Sequence, residues 1–446
     1  MSESVIVTRK YTGLIGICIA SFLGCIDLTV VNTIIPAIGR EFNTSLRETQ
    51  WVTSIFMIAL SAFMVPVGTL ADSRGRKKIL LWGLILFGAA SLLVGLATNL
   101  AAITTFRFIQ GIGCAILYTV SGAIISYLFD EHEQGKALGI LFGINGLGLA
   151  IGPIIGGLFA GIVDWRYAFL INIPFIIISF ILCAWSIPEY KTEKVKKLDI
   201  LGCILLIIFL ISLVSYFSLD GNALQQWSLL AIAVIALFIF IWHELKTPEP
   251  IVEFHFFRKM RFVSALLATF FLAFFYCTVL LTLPMFFAGQ LGKNDIEIGL
   301  FLLPATVMFA LTSPWVGNRS EKFGPQRVIL VGLLLFVAAA TFLAFASTQV
   351  NAWWFIIPLL LFGMGWGSIL GPSTLIALNS LPREQAAVAM GTSWTIHNVG
   401  GACGIAFAVF LLARFNTLIQ GYQALMLFLA GLALAFTFIC YFLNRK

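Results

Sequence analysis

Long, nearly uncharged apolar segments recur through this chain and constrain its fold more than any other feature. They fall at 12–35, 50–71, 79–98, 102–127, 136–160, 167–187, 199–218, 226–242, 262–287, 297–316, 327–347, 353–376, 386–411 and 424–443. A membrane-spanning helix needs about 20 mainly apolar residues. In lipid each backbone N–H and C=O must find its partner inside the protein, so such segments are expected to be helical. Fourteen spans are predicted. Segment 226–242 is short, and the first half of 386–411 is small and polar. The chain is 60% hydrophobic and 11% charged, against roughly 25% charged for a soluble domain. A soluble reading would demand a buried core nearly as long as the chain. The first segment exceeds the roughly 7 to 15 residues of a signal-peptide core, and no small-residue cleavage pattern follows it, so a retained helix is expected.

The connections predict orientation. Lys and Arg gather at Arg9 and Lys10, in DSRGRKK, EYKTEKVKK, HFFRKMR and GNRSEKFGPQR, and in the tail NRK, all on one side of a fourteen-helix thread. The other side holds Arg40, Arg47, Arg166, Lys293 and Arg414. The positive-inside tendency then puts both termini in the cytoplasm. The net charge of +7 describes a basic face beside anionic lipid and needs no nucleic acid. The eight cysteines sit in or beside apolar spans without CxxC pairs or a histidine at ligand spacing. They are expected to be small buried hydrophobes, with no metal and no cofactor.

One connection echoes another. GTLADSRGRKKIL starts at Gly68 and GNRSEKFGPQRVIL at Gly317, so that Gly75 meets Gly324, Asp72 meets Glu321 and Lys78 meets Arg327. Each joins the second and third helices of a six-helix unit if spans 7 and 8 are an insert. The expected division is 1–190, 191–260 and 261–446. Related halves of this kind rock around a central site in transporters. Gly68 and Gly75 allow close approach and a tight turn. Asp72 is placed to cap a helix start or pair with a basic partner across the gap; the cluster, which includes Arg74 and Arg76, either latches one conformation or is a basic loop that merely fixes topology.

Within the spans, charge is scarce. Asp27 lies halfway along the first span, where an ionised side chain is expensive unless it meets water or a partner. It is a candidate for proton coupling or cation attraction, or else a structural carboxylate bonded to Thr29 or Asn32. Arg107 is the other charge well inside a span, able to tune Asp27 or to anchor on backbone carbonyls, and Gln110 at i+3 shares its face.

Several motifs resemble one family. GTLADSRGRKK resembles the loop 2–3 signature of the major facilitator superfamily, and RFIQGIGCAIL, from Arg107, its fourth-helix signature. GLGLAIGPIIGG, from Gly146, is similar to the fifth-helix signature of drug/proton antiporters, and LTVVNTIIP with Asp27 before it to the first-helix signature of the fourteen-span EmrB and QacA type exporters. The resemblance implies an all-α membrane protein of two six-helix bundles plus two inserted helices. It also implies alternating access driven by protons, with Arg107 engaged in proton transfer. Gly148, Gly152, Pro153, Gly156 and Gly157 would form the antiporter motif, a small-residue face for close helix packing. Cavity candidates are Asn32, Gln110, Tyr118, Asn145, Trp366, Met390, Trp394, His397 and Asn398. His397 either titrates near neutrality or serves as hydrogen-bonded packing.

No HExxH, phosphate-cradling GxxxxGK[ST] or nucleophile elbow is present, so neither an enzyme nor direct ATP drive is expected. The expected activity is export of amphipathic drugs or toxic compounds across a bacterial plasma (inner) membrane. The alternative is a dedicated exporter of one metabolite or siderophore. A lone intramembrane carboxylate argues for neutral, monocationic or weakly acidic cargo over multivalent cations. Substrate, protons and lipid are the expected partners, and the resemblance leaves a periplasmic adaptor protein to be considered.

Overall fold

The computed structural model describes the chain except residues 1–2, 45, 50, 190–198, 219–221, 249, 251–253, 294, 350, 413 and 444–446; some side chains are also outside it, including those of Asn32, Pro153 and Glu321. The charged linker read as EYKTEKVKK falls almost wholly outside the described residues. Among those described, all regular structure is helical.

The long helices are α1 (Glu3–Phe42), α2 (Trp51–Arg74), α3 (Arg76–Gly95), α4 (Leu100–Leu128), α5 (Glu131–Ile162), α6 (Asn172–Ser186), α7 (Ile200–Ser218), α8 (Ala223–Lys246), α9 (Met260–Leu291), α10 (Asp295–Phe323), α11 (Pro325–Ala346), α12 (Ile356–Asn379), α13 (Ala386–Leu412) and α14 (Leu418–Leu443). Among the described residues, thirteen spans are long and apolar enough to cross a membrane, while α7 offers a shorter apolar run, Ile200–Leu213. The short segment at 226–242 lies inside a 24-residue helix, because the Asn222 side chain accepts from Gln225 N while Gln225 accepts from Asn222 N. That capping box starts α8 before its apolar stretch begins.

The chain groups into two compact units. One contains Met1–Asp130, Ile151–Phe256 and Leu381–Thr395; the other contains Glu131–Ala150, Phe257–Ser380 and Ile396–Lys446. Helices α5 and α13 thus each contribute to both.

The loop echo is realised in backbone geometry. Gly75 (φ 103°) precedes α3 and Gly324 (φ 81°) precedes α11, a left-handed setting that only glycine enters freely. Seven residues earlier, a side chain at Gly68 would run into the carbonyl of Ala387 at the start of α13, within the first unit. A side chain at Gly317 would run into the carbonyl of Gly135 near the start of α5, within the second. Each copy therefore uses one glycine for a turn and one for a helix crossing.

Tight contact also joins α3 to α4. A Cβ at Gly113 would sit 2.8 Å from Phe87 N, and Gly83 faces Ile116. Lipid is as apolar as a leucine side chain, so this close packing, rather than escape from water, stabilises the helix pair. At the C-terminal end of α1, Arg166 donates to both oxygens of Glu41 (2.6 and 2.9 Å) and to Ala97 O (3.3 Å), while Trp165 Nε1 donates to Glu41 Oε2 at 2.7 Å. Beneath this clasp Ile34, Ile38, Val94 and Phe169 form part of a buried apolar cluster.

Two outcomes follow from this packing. Gly113→Ala should destabilise detergent-solubilised protein by about 1–3 kcal/mol, because backbone blocks the added methyl; Gly157→Ala, which meets nothing within 4 Å, should be neutral or stabilising. Thermal unfolding of both variants checks this. The Arg166 hydrogen bonds hold the Glu41 carboxyl below its ordinary 4.5, so its stabilisation is present above that value and lost as pH falls through the lowered folded value. Glu41→Gln should therefore unfold earlier than wild type at neutral pH, by about 1 kcal/mol or less since the carboxylate is 39% exposed. The gap should close in acid.

Candidate functional site

In the first unit, α1 and α4 bring Asp27 and Arg107 together, both wholly buried. Arg107 Nη1 donates to Asp27 Oδ2 and to Gln110 Oε1 (2.8 Å), and Gln110 Nε2 donates to Asp27 Oδ1 (3.0 Å). Arg107 Nε reaches Val52 O at 3.1 Å, and its guanidinium lies 4.0 Å from the Phe56 ring centre and 5.6 Å from that of Phe169. Arg107 thus pairs with the carboxylate and also anchors on a carbonyl. Burying two unit charges is tolerable only when they are paired and hydrogen-bonded. Of the partners weighed for a structural carboxylate, Thr29 donates its Oγ1 to Cys25 O and Ile26 O instead, and Asn32 lies outside the described side chains.

Sequence reasoning missed the layer behind this pair. Ser91 on α3 donates to Phe169 O (2.9 Å) and accepts from Gln110 Nε2 (3.3 Å) and Asn172 Nδ2 (2.9 Å). The available signal was Asn172, a buried amide in an otherwise apolar span.

The loop residues form a second charged cluster in the same unit. Asp72 accepts from Arg76 Nε (2.7 Å) and Nη2 (2.5 Å), and from Ala387 N (3.3 Å) and Val388 N (3.0 Å) at the start of α13. Arg76 also donates to Ala123 O and Arg383 O. A carboxylate there meets the unpaired N–H groups of a helix start. Arg74 is exposed. A further pair, not singled out from sequence, joins α8 to the residue before α7: His243 Nε2 lies 2.8 Å from Asp199 Oδ2.

The cavity candidates divide between the units. In the first, Tyr118 stacks on Trp394 (5.6 Å between ring centres) and its hydroxyl lies 3.0 Å from Cys25 Sγ, while Met390 packs over Gly122. In the second, Trp366 stacks on Tyr276 and on Phe309 (4.5 Å between ring centres in each pair). There His397 is buried, with Nδ1 3.0 Å from Thr269 Oγ1 and Nε2 3.3 Å from Tyr276 OH; Asn145 is buried and Asn398 half-buried. The fifth-helix motif divides too. Gly148 is buried in the second unit, whereas Gly152 and Gly156 press on Thr29 and Thr33 of α1 in the first, Gly157 packs on nothing, and the Pro153 side chain lies outside those described.

The chain is similar to the multidrug resistance protein Stp of Mycobacterium tuberculosis, 30% identical over 91% of this chain and 75% of that protein. It is also similar to the riboflavin transporter RibZ of Clostridioides difficile, 26% identical over 93% and 91%. The solved structure of the human organic anion transporter MFSD10 shares its fold, with a TM-score of 0.71 at 15% identity over 97% of this chain and 99% of that one. A family model described as Major Facilitator Superfamily matches residues 17–405. The chain belongs to the Major Facilitator Superfamily and is a multi-pass secondary transporter of small molecules, not an enzyme.

Proposed function

We propose that this transporter is a proton-coupled antiporter that exports amphipathic drugs or toxic compounds across a bacterial plasma membrane, with both termini cytoplasmic. The observation that carries the reading is the buried Asp27–Arg107 pair. A single carboxylate held by a single guanidinium can lose its charge by taking a proton, and doing so frees the arginine. Exposure of the pair to the two sides in turn would couple that event to cargo movement. The name of Stp, a multidrug resistance protein, supports the substrate class.

On this reading Gly68, Asp72, Arg74, Gly75 and Arg76 latch one conformation. The bundles at 1–190 and 261–446 are the moving halves, with the inserted helices between them. Tyr118, Trp394 and Met390 in one unit, and Trp366, His397, Asn145 and Asn398 in the other, contribute to cargo contact, and the fifth-helix glycines let α5 approach α1. A dedicated metabolite exporter is the second reading, favoured by the similarity to RibZ.

Everted membrane vesicles energised to an acidic lumen test both. Proton release on adding compounds from a panel of cationic, neutral and weakly acidic molecules is expected for wild type. It should fall to the level of empty vesicles in Asp27→Asn at equal protein content. Unchanged release in that variant removes Asp27 from the coupling step, and a wild type that answers to no panel compound favours the dedicated exporter.

A further inference from the structure

Resting on the proton-coupled reading, we propose that Ser91 is a positioning residue that sets when Asp27 takes up its proton, by fixing the orientation of the Gln110 amide. The amide is held at both ends by groups with no choice of role. A guanidinium only donates, so the atom of Gln110 facing Arg107 Nη1 at 2.8 Å must be its oxygen. At the other end, the Ser91 hydroxyl is committed: Phe169 O, 2.9 Å away, can only accept, so the single hydroxyl proton goes there. Toward Gln110 and Asn172 the Ser91 oxygen is therefore an acceptor, and both amides must present nitrogen to it. The two ends agree, and the orientation is determined twice over.

The consequence falls on Asp27. One of its oxygens meets Arg107 N–H and the other meets Gln110 N–H, so the pocket offers donors to both. A carboxylate fits such a pocket, but a carboxylic acid would aim its own O–H at another donor. Proton uptake thus requires Gln110, or Asn172, whose amide also reaches Asp27, to turn its oxygen toward the acid, or Asp27 to leave. While Ser91 is in place, either turned amide would set its oxygen against the committed Ser91 oxygen, and a turned Gln110 would also give up Arg107. Ser91 raises the barrier to accepting the proton without touching Asp27. The other titratable groups around Asp27 are Cys25 on its own helix, and Cys114 and Tyr118 on α4; α3 and α6 present Ser91 and Asn172, and α2 presents Val52 O and Phe56. Arg107 is the fixed charge among these.

Infrared spectra of purified protein in lipid, recorded between about pH 4 and 9, test this without any transported compound. The carboxylic-acid C=O band of Asp27 is identified by its loss in Asp27→Asn. In Ser91→Ala the acid band should persist about one pH unit further toward alkaline than in wild type. Ser91→Cys, which keeps the volume with a weaker acceptor, should move it in the same direction by less, and carries the test if the alanine variant does not fold. A band that titrates in both variants as in wild type overturns the inference while leaving proton coupling intact. A wild type with no titrating band assignable to Asp27 overturns the proton-coupling reading itself.

Discussion

The ion pair between Asp27 and Arg107 is the constraint around which the first unit is arranged. Two charges without exposure to solvent would each be several kcal/mol too costly alone, and the surrounding residues compensate in distinct ways. Gln110 bridges the pair, Val52 gives a carbonyl, and the Phe56 ring lies against the guanidinium face. Arg107 Nη2 has no hydrogen-bond partner among the described residues, nor does Asn172 Oδ1. Buried polar atoms left in this way are uncommon in settled structure.

Glycine does the corresponding work for the backbone. The loop repeat places Gly68 against the start of α13 and Gly317 against the start of α5, each where a side chain would meet a carbonyl. Crossings this close bring helix dipoles and side chains within reach. The carboxylate of Asp72 bonds the N–H groups of Ala387 and Val388 only because Gly68 lets α2 approach. Packing and electrostatics are therefore one device at this crossing, and enlarging the glycine would disturb both.

Much of this was legible in the sequence because lipid simplifies the rules. Apolar length located the spans, and the glycine recurrence falls on two positions, Gly75 and Gly324, with positive φ. Asp27, Arg107 and Gln110 could be paired because an intramembrane charge demands a partner and few were available. Ser91 and Asn172 were not legible, since a serine or an amide in a span is common and only its neighbours reveal its role. The broad set of cavity candidates was less selective. Trp366 stacks on both Tyr276 and Phe309, contacts between three helices that no pattern of aromatic residues along a line could announce.

On the proposed reading, the charge balance of the pair bears on cargo. With Asp27 ionised, the buried pair is neutral overall; with Asp27 protonated, Arg107 leaves a net positive charge in a medium where Coulomb interactions are several times stronger than in water. That charge repels a cation within its field, so proton and monocationic cargo exclude one another, which is the condition for exchange. A neutral compound feels no such exclusion and must be coupled through shape, by favouring the conformation in which Asp27 is ionised. An anion is drawn to the protonated state and would travel with the proton rather than against it. Antiport through this single carboxylate therefore favours cations and neutral molecules, and weak acids only in their uncharged form.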